Sequence, residues 1–473
     1  MSDTVSTPAQ PSDLSRILDR QRAAFLNDGP PGLEQRRADL RRLKAEILKH
    51  KVEILQALNT DFGHRSVRES AIVELIPLLH SITYLIRNLR HWMKPERRHV
   101  APYFQCGRAW VIRQPLGVVG IIAPWNYPLS LALVPLATAL AAGNRVMLKP
   151  SELTPTTSAV IEKIIQAIFP PDQVSVVTGD AEVGAAFSAL PFDHILFTGS
   201  TAVGKKVAAA AARNLTPVTL ELGGKSPVII EPAFSMKDMA ERVAYGKLTN
   251  AGQTCIAPDY VLVHKADQDA FAAAFQEAAK KLYPHGYAGS PDYTAILNQH
   301  HYERLNRLIQ DAKTLKARVF RLGDDSPADH LLAPVLVLDA TPEMAVMQEE
   351  IFGPVLPVLT YWHPDEAIAF INERPRPLAL YYFGKKRHEL NRVLKYTVSG
   401  NVTVNGTLLH YAQEDLPFGG VGESGIGAYH GKEGFMALTH PRGIYKQGRF
   451  NAATLLQPPF GKLTDIITNF MTR

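Results

Sequence analysis

Cysteine is nearly absent: the 473-residue chain has two, Cys106 and Cys255, far apart in sequence. Two cysteines cannot staple a chain of this length, so a disulfide framework is excluded, and free thiols in a reducing compartment, the cytoplasm, are expected. The first residues, Met1 to Pro11, lack a basic start followed by an apolar run, so no signal peptide is expected. Concentrated charge of one sign is also missing. The net charge of +6 is spread out, and local groups such as Arg36, Arg37, Arg41 and Arg42 read as a solvated helix face. No binding motif accompanies them, so nucleic acid is not an expected partner. Uninterrupted apolar runs of membrane length are absent too. Leu116 to Gly143 comes closest, but Pro124, Pro128 and Pro135 interrupt it, each removing a helix donor and crowding the preceding turn. A buried strand, a loop and a core helix kinked at Pro135 are expected there. The final stretch from Gly461 is amphipathic through Leu463, Ile466, Ile467 and Phe470, yet shorter than the roughly 20 residues a span requires, so no integral membrane segment is expected. The dinucleotide fingerprint G-x-G-x-x-G is missing, which leaves a standard Rossmann pyrophosphate cradle unsupported. No metal site is expected.

What is present is enough apolar sequence, 46% of residues, for two or three cores. Leu40, Leu43, Ile47, Ile54 and Leu58 recur at helical spacing, predicting an amphipathic helix from Leu33 to about Asn59. A second helix is predicted from Val67 to Trp92. Ala109 to Gln114 alternates partially, which suits a strand of an extended arm. From Leu116 onward, apolar runs and helical patterns alternate through short connections, the signature of βαβ units in a doubly wound sheet. A second such set begins at Ser226. The fold class is therefore α/β.

Chemistry is concentrated at a few places. Glu221 follows the strand-like Val218-Thr219-Leu220 and precedes Gly223-Gly224; a carboxylate among apolar neighbours holds its proton more tightly, which suits a general base working near neutral pH. Cys255, in Gly252-Gln253-Thr254-Cys255, is flanked by residues that favour irregular backbone, so its thiol reads as presented rather than packed. Cys106 has no such flanks and reads as inert. Asn126, just past an apolar strand, could donate a side-chain hydrogen bond to an oxyanion, or be an ordinary turn asparagine. Phe197-Thr198-Gly199-Ser200 sits where a strand gives way to a helix, whose free N–H groups favour phosphate. In Lys149-Pro150-Ser151-Glu152 the lysine and glutamate could hold the hydroxyls of a ribose, although a capping serine explains much of the pattern.

Together with Ala123-Pro124-Trp125-Asn126-Tyr127-Pro128 and Glu349-Glu350-Ile351-Phe352-Gly353-Pro354, these segments, in this order, resemble the aldehyde dehydrogenase superfamily from about residue 20 to 450. The glycine-rich Gly419 to Lys432 resembles its class 3 branch, and within it the bacterial coniferyl aldehyde dehydrogenases. The resemblance implies two doubly wound αβα domains plus a small β oligomerisation arm. The expected division is residues 1–220 for N-terminal helices and the cofactor-binding domain, 221–405 for the catalytic domain, and 406–473 for a segment returning to the cofactor domain and the arm. It implies Cys255 as nucleophile, Asn126 with the Cys255 N–H as oxyanion donors, and Glu221 as activator of the hydrolytic water. It implies NAD or NADP as cofactor, held by Trp125, Lys149, Glu152, Gly199, Ser200, Glu350 and Phe352. Glu152 would repel a 2′-phosphate and so favour NAD. A hydrophobic or aromatic aldehyde, coniferyl aldehyde among the candidates, and a homodimer are the implied partners. A medium- or long-chain aliphatic aldehyde is the alternative substrate. A thiol hydrolase using Cys255, for which neither His264 nor His285 lies in a recognisable setting as partner, and a binding protein on this fold remain the rival readings.

Overall fold

The strand Val118–Ile122 carries only valine, isoleucine and glycine, and all but its last residue are fully buried. Strands that bury both faces read as such continuous apolar runs. It lies inside a six-stranded sheet whose order is Gly425–Ile426, Val218–Glu221, His194–Thr198, Val118–Ile122, Arg145–Lys149, Val174–Val176. All neighbours run parallel except the two-residue edge strand, which is antiparallel. A seven-stranded sheet has the order Arg318–Arg321, Val335–Leu338, Val355–Tyr361, Tyr260–His264, Pro227–Ile230, Ala379–Phe383, Asn401–Val404, again parallel apart from its first strand. The third sheet joins Glu96–Arg98, Arg108–Pro115 and Thr439–Lys446, so the expected arm strand is present with a C-terminal strand beside it. This computed structural model describes residues 11–104, 106–232, 234–449 and 452–472.

Residues 1–10 lie outside the described residues. From Pro11 the chain is helical to Asp28, and Leu14 and Leu18 are buried in one cluster with Val118 and Phe187, a helix the sequence reading did not predict. The single helix expected from Leu33 is two, Leu33–Lys49 and Lys51–Asp61, with the break at His50. The apolar stretch 116–143 resolves, as its prolines imply, into the strand Val118–Ile122, a loop and the helix Ser130–Ala142, which keeps Pro135 inside it and is buried on every side. Among the described residues one helical run, Val67–Trp92, is long and apolar enough to cross a membrane by length and composition. Its Leu75, Leu78, Ile82, Leu85 and Leu89 are buried in the core that also takes up the helix Ser130–Ala142. That run is not one regular helix, because Ala71–Leu75 forms a π turn, a local widening often found at functional sites. The closing helix Lys462–Met471 leaves Leu463, Ile466 and Phe470 exposed.

Candidate active site

Parallel sheets place their ligands beyond the carboxyl ends of the strands, and the candidate residues cluster there. Glu221 is the last residue of Val218–Glu221. Its carboxyl is buried and neither oxygen has a hydrogen-bond partner, so burial raises its pKa well above the usual carboxylate range. Cys255 lies on a loop built from unusual backbone. The helix Met236–Leu248 ends, and Asn250, Ala251 and Gly252 all adopt left-handed φ values of 51°, 50° and 76°. Glycine is required at the third of these, where a Cβ would collide with the Gly353 carbonyl oxygen. The loop is held from inside. Gln253 donates to the Asn250 and Ala295 carbonyls at 3.1 and 3.0 Å and accepts from the Leu297 N–H at 3.0 Å. Asn126, buried, donates from Nδ2 to the Gln253 carbonyl at 3.1 Å, which brings its amide to the cysteine loop across 127 residues of sequence. Tyr127 bonds Thr254 through their hydroxyls at 2.6 Å.

Cys255 and Glu221 share one cavity of about 200 Å³. Tyr127, Tyr411, Phe418 and Tyr429 give it aromatic walls, and Ile72, Val73, Tyr245 and Leu408 continue it in apolar surface. Ile72 and Val73 come from the π turn. Burial pushes the thiol up, and the nearby Glu350 and Glu221 charges push it further, while the N–H groups of Cys255 and Ile256 act in the opposite sense. Both groups are therefore held toward their protonated forms, and both gain nucleophilic or basic character as pH rises.

A second cavity of about 460 Å³ is lined by Thr201, Gly223, Gly224, Lys225, Glu350 and Glu423 among others. A Cβ on Gly223 would occupy the position of the Glu350 carboxyl, so the close approach there depends on glycine. Glu350 is half-buried with its Oε1 out of contact with solvent, and it is pushed up to about 8, first by desolvation and then by Asp259, while the Gly224 N–H, Lys225 and Arg304 oppose the shift. Phe352 has a left-handed φ of 49° and stands edge-on to Trp125, ring centres 5.4 Å apart. Ser200 caps the helix Thr201–Ala212, accepting from the Val203 N–H at 3.4 Å, and Gly199 precedes it. At the end of Arg145–Lys149, two places along the sheet from His194–Thr198, the buried Lys149 pairs with the half-exposed Glu152 at 3.0 Å. The structure thus sets Cys255 and Glu221 in the lining of one cavity and Glu350 in that of a neighbouring cleft; Asn126 reaches the cysteine loop through the Gln253 carbonyl, Gly199 and Ser200 adjoin the cleft only through the next residue, Thr201, and Phe352 follows Glu350 without lining it. Lys149 and Glu152 lie beyond it. Trp125 packs behind Phe352 and against His301 rather than lining either cavity.

Sequence reasoning missed Lys225, whose ammonium pairs with Asp259 and donates to the Val346 and Glu349 carbonyls at 2.7 and 3.0 Å, fixing the loop that carries Glu350. It also missed Arg65, Glu69, Glu74 and Asn250. Only Asn250, two residues before Gly252, had a readable neighbour; the others are far from the motifs in sequence.

Residues 6–444 match the sequence profile of the aldehyde dehydrogenase family. The chain belongs to that family. This aldehyde dehydrogenase is 49% identical over 451 residues to a probable coniferyl aldehyde dehydrogenase of Pseudomonas aeruginosa, covering 95% of the chain and 94% of the relative. It is 44% identical over 463 residues to a coniferyl aldehyde dehydrogenase of a Pseudomonas species, with 96% and 95% covered. Its fold is similar to a substrate-bound Staphylococcus aureus AldH, with a TM-score of 0.92, 39% identity, and 97% and 99% of the two chains covered. It is also similar to a Mycobacterium tuberculosis aldehyde dehydrogenase complexed with NAD+, with a TM-score of 0.85, 27% identity, and 94% and 92% covered. The chain is an NAD(P)-dependent aldehyde dehydrogenase with the α/β architecture of its family.

Proposed function

We propose that this aldehyde dehydrogenase oxidises an aromatic aldehyde of the coniferyl type to its acid, with NAD, through a covalent intermediate on Cys255. The observation that carries the reading is the shared cavity: a thiol and an unpartnered carboxyl face one small space whose other walls are aromatic and apolar. Cys255 releases its thiol proton to solvent, and its Sγ bonds to the carbonyl carbon as the C=O π pair moves onto oxygen. Asn126 Nδ2 and the Cys255 N–H are the donors for that oxyanion, which is where preorganised donors act most strongly. The cofactor, when bound, supplies the acceptor for the hydride that leaves the carbon. The carbonyl re-forms as a thioester on Cys255. Glu221 then takes a proton from water, whose oxygen adds to the thioester carbon; the C–S bond breaks, the acid leaves and the thiol is restored.

The cofactor residues fit such a group. Glu350 Oε1 is buried without a partner, the approach to it requires Gly223, and the capped helix Thr201–Ala212 presents its N-terminus to the same cavity. In this reading Glu350 and Phe352 hold the nicotinamide ribose, Ser200 and Gly199 a phosphate, Lys149 and Glu152 the adenosine ribose, and Trp125 supports Phe352. The six-stranded sheet is then the cofactor domain and the seven-stranded sheet the catalytic domain. The three-stranded arm is the dimerisation surface of a homodimer, and both free cysteines suit the cytoplasm.

Purified enzyme mixed with NAD or NADP and aldehydes from acetaldehyde to coniferyl aldehyde should form reduced nicotinamide fastest with NAD and cinnamyl-type aldehydes. A preference for saturated long-chain aldehydes would move the substrate to the aliphatic class. The thiol-hydrolase reading has little support: the lining of the Cys255 cavity among the described residues includes no histidine, and His264 instead packs on Tyr361 and Trp362.

Two further outcomes are expected. Val73→Trp should narrow the apolar end of the cavity and lower kcat/KM for cinnamyl aldehydes by roughly tenfold or more, while sparing acetaldehyde; steady-state kinetics with both substrates checks it. Glu350, with its pKa near 8, is an acid below that pH and a carboxylate above it. A carboxylate accepts hydroxyl hydrogen bonds more strongly, so NAD affinity should rise as pH increases through about 8. Titration of the protein's fluorescence by NAD reads this, and Glu350→Gln should flatten the dependence.

A further inference from the structure

Arg65 and Glu74 form an ion pair at 2.8 Å, and both side chains are 0% exposed. Neither belongs to a motif of the reaction. Burying two charges is costly, and such a pair is weak evidence for stability, so its place in the fold must be sought in what else it holds. The Arg65 guanidinium rests on the Phe62 ring, 4.7 Å from its centre, and several further contacts of the pair lead to the segment around Asn126. Arg65 Nη1 donates to the Asn126 backbone carbonyl at 3.1 Å. Its guanidinium lies 5.1 Å from the centre of the Tyr127 ring. Glu74 Oε2 accepts the N–H groups of Leu129 and Ser130 at 2.9 and 3.0 Å, capping the helix Ser130–Ala142 from outside its own sequence. The pair therefore grips the residue before, and the residues just after, the Tyr127–Pro128 turn. Glu74 can do this because it sits in the π turn Ala71–Leu75, the same turn that turns Ile72 and Val73 to the substrate cavity.

We infer that Arg65 and Glu74 are positioning residues for the reaction, setting the Asn126 amide against the carbonyl oxygen of the aldehyde through the main chain that they clamp. The inference rests on the reading of Asn126 as an oxyanion donor. Removing only one member would strand a buried charge and damage the fold for unrelated reasons. Replacing both with methionine fills similar volume without leaving either charge behind.

The test is a cycle of Arg65→Met/Glu74→Met with Asn126→Ala, reading the first-turnover rate of hydride transfer, the KM for aldehyde, the affinity for NAD and the Tm. The paired replacement should slow hydride transfer roughly 10- to 100-fold, the scale on which an ångström of misplacement acts, with KM, NAD affinity and Tm close to wild type. In the Asn126→Ala background the same replacement should cost less than about twofold more, because the group it positions is already gone. A purely structural pair would slow both backgrounds equally, or neither, and either result overturns the inference. If Asn126→Ala alone runs at the wild-type rate, the oxyanion assignment falls and this inference with it. If Asn126→Ala is slow but the paired replacement is not, only the positioning role falls. Should the paired variant not fold, Arg65→Lys keeps both charges but gives up the guanidinium's reach to the Asn126 carbonyl; it should lose several-fold in hydride transfer in wild type and nothing further with Asn126→Ala, and an equal loss in both overturns the inference.

Discussion

Cys255→Ala should bind NAD as the wild type does and form no reduced nicotinamide with any aldehyde. The thiol is the one nucleophile in the cavity of about 200 Å³ that the reading requires to bond the carbonyl carbon, and alanine leaves Tyr127, Thr254 and the aromatic walls in place. Loss of a covalent nucleophile removes the reaction path rather than weakening it, so residual turnover should lie far below a hundredth of wild type. The cofactor cleft stands on Gly223, Glu350 and the helix Thr201–Ala212, none of which depends on the thiol. Continuous absorbance of reduced nicotinamide reads the first half of the expectation, and fluorescence titration with NAD the second. Turnover above that level would remove Cys255 from the chemistry.

Glu221→Gln should separate the two halves of the reaction. Glutamine keeps the size of the buried side chain but cannot take the proton from water. Hydride transfer should then appear as a burst of about one equivalent per site, followed by a steady state slowed by roughly 10²- to 10⁴-fold, the range in which a positioned base contributes. The pH dependence follows from the direction of the shift. Burial raises the Glu221 pKa, so the group is an acid at low pH and becomes a base only as pH rises through that raised value. Steady-state turnover in the wild type should therefore climb with pH over a limb displaced above the usual carboxylate range. In Glu221→Gln that limb should vanish, while the burst, which depends on the Cys255 thiol losing its proton, should keep its own rise with pH. A normal steady state with the variant would assign the water-activating role elsewhere.

Much of this site was legible before any coordinates. Glu221, Cys255 and Asn126 each stand where a strand or helix ends beside glycine or proline, and such ends are where parallel sheets collect their reactive groups. The alternation of apolar runs with helical patterns gave both doubly wound sheets for the same reason, since βαβ units need a buried strand and an amphipathic helix in turn. Three features were not readable, each from a distinct physical cause. The break at His50 leaves the apolar spacing of Leu40 to Leu58 undisturbed, so periodicity cannot register it. The π turn Ala71–Leu75 inserts one residue into a helix whose composition is ordinary. The Arg65–Glu74 pair joins the N-terminal helices to Asn126 through contacts over 50 residues long in sequence, and both side chains look like surface charges until their burial is seen. Trp125 shows the opposite limit: it lies within a motif, yet the structure gives it a supporting position behind Phe352.

The central claim is that aldehyde carbon becomes covalently bound to Cys255 and leaves as acid by way of Glu221. The measurement that tests it most directly is the mass of the peptide carrying Cys255 after Glu221→Gln is mixed with NAD and cinnamaldehyde and quenched in acid. The account predicts an added acyl group on Cys255 in an amount equal to the burst of reduced nicotinamide. Reduced nicotinamide formed with Cys255 unmodified throughout, or with the acyl group on a different residue, would contradict it.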